Sequence, residues 1–209
     1  MSIGILGNKV GMTQVFDTNG EVIPVTIIKG GPCYVTQIKS NENCGYNSIQ
    51  LGYLEVAPNL KSLTKPRLGH FSKSNLPPYR YLKEYKTDEI QEYNLGQKFT
   101  VDMFEIGQSI NVTGFTIGKG HTSKFKLHGH HTGLMSHGGK SKRLQGSIGA
   151  GTTPGRVLKG KQMPARSGMQ KRTIKGLEII DIDKIQNLIV VKGSIPGKAG
   201  NLVSMKTGI

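Results

Sequence analysis

The sequence predicts a mainly β protein: a small β-barrel closed by segments from both ends of the chain, with a small helical insertion and a long basic, irregular internal loop. Three observations point there. Short runs of alternating or β-branched residues, spaced by Gly and Asn turns, recur on either side of the middle of the chain. A 72-residue stretch, 106–177, holds 13 Lys and Arg and no Asp or Glu. Within it, residues 118–168 keep neither a helical nor a strand period.

The elements follow in order. Lys9 to Phe16 reads as a strand, and Asp17-Thr18-Asn19-Gly20 as its hairpin turn. Glu21 to Lys29 is the partner strand, with Pro24 marking an edge or a bulge. Cys33 to Lys39 and Ser48 to Val56 continue the series. Thr64 to Phe71 then reads as a short helix capped by Thr64, with Pro66 in its first turn, and Pro77-Pro78 closes this insertion. Strands resume at Tyr81 to Tyr85, Lys98 to Asp102 and Ser109 to Phe115. After the irregular stretch they return at Thr173 to Ile182, Asn187 to Lys192 and Leu202 to Lys206. The expected domains are a β-body of residues 1–115 and 176–209, with its insertion at 58–80, and a glycine-rich extension of residues 116–175.

Composition narrows the function. The 209 residues carry 28 Lys and Arg against 13 Asp and Glu, a formal net charge of +15. Since 13 of the basic residues sit in the acid-free stretch, the rest of the chain is close to neutral. Like charges repel, so a solvated face normally mixes signs, and a long acid-free stretch calls for a polyanion. No apolar run approaches the roughly 18 residues of a membrane-spanning helix. The N-terminal residues do not read as a secretory signal. Cys33 and Cys44 alone form neither a zinc spacing nor a disulfide framework, which fits a reducing, intracellular compartment.

The charge is carried by Lys119, Lys124, Lys126, Lys140, Lys142, Arg143, Arg156, Lys159, Lys161, Arg166, Lys171, Arg172 and Lys175. Interspersed glycines let the backbone approach phosphates closely, and the cations release counterions on binding. Composition does not choose between RNA and DNA. No helix-turn-helix or zinc-finger pattern is present, and an irregular arm suits the grooves of folded RNA. Two limbs of about 25 residues would reach tens of Å at about 3.3 Å per extended residue. With few apolar residues to bury, such an arm would be ordered by its partner.

Competing chemistries are weaker. Five of the six histidines lie between His121 and His137, without a Cys or carboxylate beside them to complete a metal site. Gly139-Lys140-Ser141 matches the end of a phosphate-binding loop, but Leu134 stands where that pattern needs Gly, and neither the strand before nor the helix after is visible. No nucleophile, base and orienting group can be assembled, so no enzyme, cofactor, metal or small-molecule substrate is expected. A general nucleic-acid chaperone is the rival binding reading, and a nucleotide hydrolase using Lys140 the rival enzyme.

Several segments carry a resemblance: Gly4 to Phe16, Leu63-Thr64-Lys65-Pro66 with Gly69-His70-Phe71, Met135-Ser136-His137-Gly138, Gly146-Ser147-Ile148-Gly149, Thr153-Pro154-Gly155-Arg156-Val157, Lys159-Gly160-Lys161-Gln162-Met163 and Asn187 to Gly197. Together they resemble the large-subunit ribosomal protein L-three family, in its bacterial and plastid branch. The resemblance implies a translation-factor-like barrel, direct binding of large-subunit rRNA, a role early in subunit assembly and neighbouring ribosomal proteins against the barrel. It also implies rRNA contacts by the basic residues named from Lys119 to Arg172, joined by His137. The loop tip, Gly149, Ala150, Gly151, Thr152, Thr153 and Pro154, would approach the peptidyl transferase centre. Some bacterial members carry a methylated glutamine at the position of Ala150, a modification alanine cannot take. With 22 Lys against 6 Arg, a plastid or AT-rich bacterial origin fits, in the plastid stroma or the bacterial cytoplasm.

Overall fold

The computed structural model describes residues 3–57, 63–88 and 90–208. It is mainly β. In chain order the elements are β1 (Gly4–Phe16), β2 (Val22–Gly30), β3 (Cys33–Lys39), α1 (Asn41–Cys44), β4 (Ser48–Glu55), α2 (Lys65–Ser72), β5 (Tyr79–Lys86), β6 (Lys98–Phe99) and a 3-10 turn (Val101–Met103). They continue with β7 (Ser109–Phe115), β8 (Gly120–Thr122), α3 (Lys124–His128), β9 (Ala165–Ser167), β10 (Lys171–Asp183), β11 (Leu188–Lys192) and β12 (Leu202–Thr207). No helix among the described residues is long and apolar enough to cross a membrane. Residues 58–62 of the expected insertion lie outside the described residues.

Two compact units divide the chain: residues 1–116 with 171–209, and residues 117–170. In the first unit, six antiparallel strands close on themselves in the order β1-β12-β7-β10-β11-β2. The first and last strands pair directly, Gly4 opposite Lys206 and Leu6 opposite Ser204. Inward-facing residues alternate along each strand, among them Ile5, Ile28, Ile110, Val112, Val191, Val203 and Met205, all buried. Each such side chain contributes roughly 1.5–3 kcal/mol by leaving water.

The strands from Cys33 to Phe99 differ from the expectation of one continuous barrel. They form a separate sheet, β5-β4-β3-β6. The reason lies in β2, whose two edges are already occupied by β1 and β11, so β3 has no free ladder to join. This sheet packs on the outer face of the barrel: Leu6 N–H meets Cys33 Sγ at 3.4 Å, and the Tyr85 hydroxyl bonds Ser204 Oγ at 2.7 Å. Lys9 ties β1 to the loop before β12, its ammonium donating to Ile195 O and Gly197 O at 3.0 Å each.

Pro24 lies one residue past the last rung between β2 and β11, Val25 opposite Lys192. Its carbonyl accepts from Gly193 N–H at 2.7 Å, so its ring nitrogen faces the same side, where no ladder acceptor remains. Thr64 occupies the N-cap of α2 and Pro66 its first turn, but the Thr64 hydroxyl makes no capping bond. That helix is held instead by Phe71, which is buried edge-on against Tyr79. The run expected as a strand at Lys98 to Asp102 is a two-residue strand followed by the 3-10 turn.

Candidate nucleic-acid interface

Residues 117–170 are built without a core: Thr122 is the one buried residue among them. Their base is ordered by backbone bonds. β8 and β9 pair through Gly120–Ser167, His121–Arg166 and Thr122–Ala165. Lys119 N–H extends this ladder by donating to Ser167 O at 2.9 Å. Gly168 closes it with φ +75°, and a Cβ there would stand 2.0 Å from Ile117 O, so no other residue fits. α3 follows, its first turn closed by Leu127 N–H to Ser123 O at 3.0 Å. These elements depart from the expectation of no regular structure over residues 118–168. Three-residue strands and a five-residue helix are too short to set up a period in the sequence.

Residues 129–164 contain no helix or strand. Scattered turns hold them: Gly133 N–H to Lys142 O, Gly139 N–H to Ser136 O and Gly155 N–H to Gly151 O. Side chains add a few ties, with the Lys124 ammonium on Gln145 O and a His130 ring nitrogen 2.5 Å from Gln162 Oε1. The expected tip, Gly149 to Pro154, is exposed throughout. So are the large apolar side chains Leu134, Met135, Leu144 and Leu158. Residues 134–144 contain neither strand nor helix, which removes the phosphate-binding-loop reading of Gly139-Lys140-Ser141.

The predicted cations divide between the units. Lys119, Lys126, His137, Lys140, Arg143, Arg156, Lys159, Lys161 and Arg166 are exposed on residues 117–170, and Lys124 and Lys142 are half-buried there. Lys171 and Arg172 belong instead to β10 of the first unit, opposite Phe115 and Gly114. The ion pairs among the described residues, Lys39–Glu84, Lys184–Asp102 and Lys192–Glu178, include none of the residues 117–170. No ion pair among the described residues therefore offsets this positive field.

One cationic group escaped the charge count. Lys83 and Lys171 line a pocket of about 210 Å³ in the first unit, whose other walls are mostly apolar. The Lys83 and Lys206 ammonium groups lie 5.4 and 5.0 Å from the centre of the Tyr85 ring. Burial, and then the charges of Lys171 and Lys206, push the Lys83 amine down to about 8. Lys83 and Lys206 come from segments where acidic residues balance basic ones, so no compositional signal marks them.

Residues 83–188 match the family model described as Ribosomal protein L3. The chain is 54% identical over 205 residues to a Large ribosomal subunit protein uL3 of Synechococcus, covering 98% of this chain and 95% of that protein. It is 51% identical to the uL3c protein of Phaeodactylum tricornutum, with 98% of each chain covered. Against that of Guillardia theta it is 50% identical, covering 99% of this chain and all of the relative. The chain belongs to the ribosomal protein L3 family. A member of this family is a structural ribosomal protein, not an enzyme. Its relatives are bacterial uL3 and plastid uL3c proteins, consistent with a ribosome in bacterial cytoplasm or chloroplast stroma.

Proposed function

We propose that this chain is a structural constituent of the large ribosomal subunit, which binds large-subunit rRNA directly through residues 116–175 and supports early subunit assembly. The observation that carries the reading is the exposed, acid-free arm, which buries almost nothing of itself. Lys119, Lys124, Lys126, His137, Lys140, Lys142, Arg143, Arg156, Lys159, Lys161, Arg166, Lys171 and Arg172 contact RNA. Neutralising phosphates where rRNA helices converge lowers the repulsion that opposes their packing. The arm takes its order from that RNA, and its tip, Gly149 to Pro154, lies toward the peptidyl transferase centre. The body, residues 1–115 and 176–209, is a translation-factor-like barrel that stays at the subunit surface against neighbouring ribosomal proteins.

Binding to large-subunit rRNA across a salt series, with an unrelated structured RNA as competitor, tests this. Tight binding that survives the competitor and disappears when residues 118–168 are excised is the expected result. Equal loss to any structured RNA would make the protein a general nucleic-acid chaperone instead.

A further inference from the structure

The barrel body holds cations that the arm does not explain. Lys83 and Tyr85 lie two residues apart on β5, and Lys206 lies two residues beyond Ser204 on β12, so each pair shares a strand face. Tyr85 and Ser204 are joined by their hydroxyls, which brings the two strands together and sets both ammonium groups over one ring. Lys171, first residue of β10, stands opposite Phe115 across the β7 ladder and lines the same pocket as Lys83. No carboxylate pairs with any of the three lysines among the described residues. Bringing two further ammonium groups, those of Lys171 and Lys206, up to the half-buried Lys83 amine costs free energy unless an anion joins them.

Apart from Lys83 and Lys171, the pocket is mostly apolar. Leu82, Phe115 and Leu202 form its walls, and Phe115 is 51% exposed at its rim. A flat ring of nucleobase size suits a space of about 210 Å³ faced by an aromatic side chain. We propose that this pocket is a second RNA contact: one nucleotide seats its ring against Leu82, Phe115 and Leu202, and its phosphate is held by Lys83, Lys171 and Lys206. The inference rests on rRNA as the partner and adds a site on the body. Three ammonium groups from three strands match the phosphodiesters flanking a nucleotide better than the single negative charge of one carboxylate. Lys171 also follows directly, along the chain, on the basic residues of the arm.

Lysine acetylation rates, read residue by residue by mass spectrometry on the full chain, test the site. The probes are pentauridylate, inorganic phosphate and pentaglutamate, and Lys140 and Lys142 report on the arm in the same sample. Pentauridylate is expected to slow acetylation of Lys83 and Lys171 by about fivefold or more, the protection a mostly occupied site gives. Inorganic phosphate should not reproduce it at the same concentration. Phe115→Ala, a change at a half-exposed position, should abolish protection at Lys83 and leave it at Lys140 and Lys142. Lys206→Gln provides a second variant with the same expected pattern. Protection of the arm lysines with Lys83 reacting at its free rate would overturn the pocket and leave the arm reading intact. Protection of no lysine at all would overturn both. Equal protection by inorganic phosphate, indifference to Phe115→Ala, or stronger protection by pentaglutamate would each overturn the nucleotide assignment.

Discussion

Tyr85 carries two loads at once, since its hydroxyl bonds Ser204 inside the core while its ring lies beneath the ammonium groups of Lys83 and Lys206. Tyr85→Phe removes the first and keeps the second. It leaves the buried Ser204 hydroxyl without that partner, which costs about 1–3 kcal/mol. For a chain of this length each kcal/mol lowers the melting temperature by about 2–4 °C, so thermal unfolding should show a drop of a few degrees. Protection of Lys83 by pentauridylate should persist. Lys83 supplies the pH dependence. The fold holds its amine near 8 against an ordinary value of 10.5, through burial and the facing charges of Lys171 and Lys206. Between those pH values the unfolded chain binds the proton more tightly, so this group makes the protein more stable as pH rises through the window. Cys33 opposes it: burial pushes the thiol up to about 12 from 9.0, so its contribution falls as pH rises above 9. The comparison that isolates Lys83 is therefore with Lys83→Met in urea unfolding at pH 8 and pH 10. The variant should gain less stability, or lose more, over that interval, and identical changes in both proteins would remove the assignment.

Gly168 shows how much rests on a short element. Gly168→Ala drives a Cβ to 2.0 Å from Ile117 O in a backbone conformation that L residues rarely adopt. The pairing of β8 with β9 should give way, since three rungs have little packing to reinforce them. The expected result is weaker rRNA binding with unchanged unfolding of the barrel, followed by filter binding and calorimetry on one preparation. A fall in the barrel transition would mean that the pairing of β8 with β9 also bears on the stability of the body. Strands were legible in the sequence where one face is wet. Alternation places β7 from Ser109 to Phe115 as found, with Ile110, Val112 and Gly114 buried between more exposed neighbours. It failed at the start of β1, where Gly4 to Gly7 are buried without a break, so the strand begins five residues before Lys9. Pairing partners were not legible, because period two locates a strand without saying which edge is free. Hence the separate sheet of β3 to β6 was missed. The arm was legible because charge is compositional, whereas Lys83, Lys171 and Lys206 become neighbours only once β5, β10 and β12 are assembled.

Across the whole molecule, stability and charge are supplied by different parts of the chain. The buried cluster draws on the strands and loops of the body and on no residue from 117 to 170, while ten of the basic residues lie in that segment. Changing charge on the arm should therefore alter RNA affinity without touching the fold. Arg143 and Arg156 are exposed, and neither joins an ion pair among the described residues. With Arg143→Glu and Arg156→Glu together, two phosphate contacts are lost. Each contact contributes about 0.7–0.9 to the slope of log affinity against log salt, so the slope should become shallower by roughly 1.4–1.8. The melting temperature should stay within about 1 °C, because surface changes away from packed features shift stability little. Both quantities can be measured on one purified variant. An unchanged slope would remove these arginines from the interface, and a large thermal shift would show that the arm shares in the core after all.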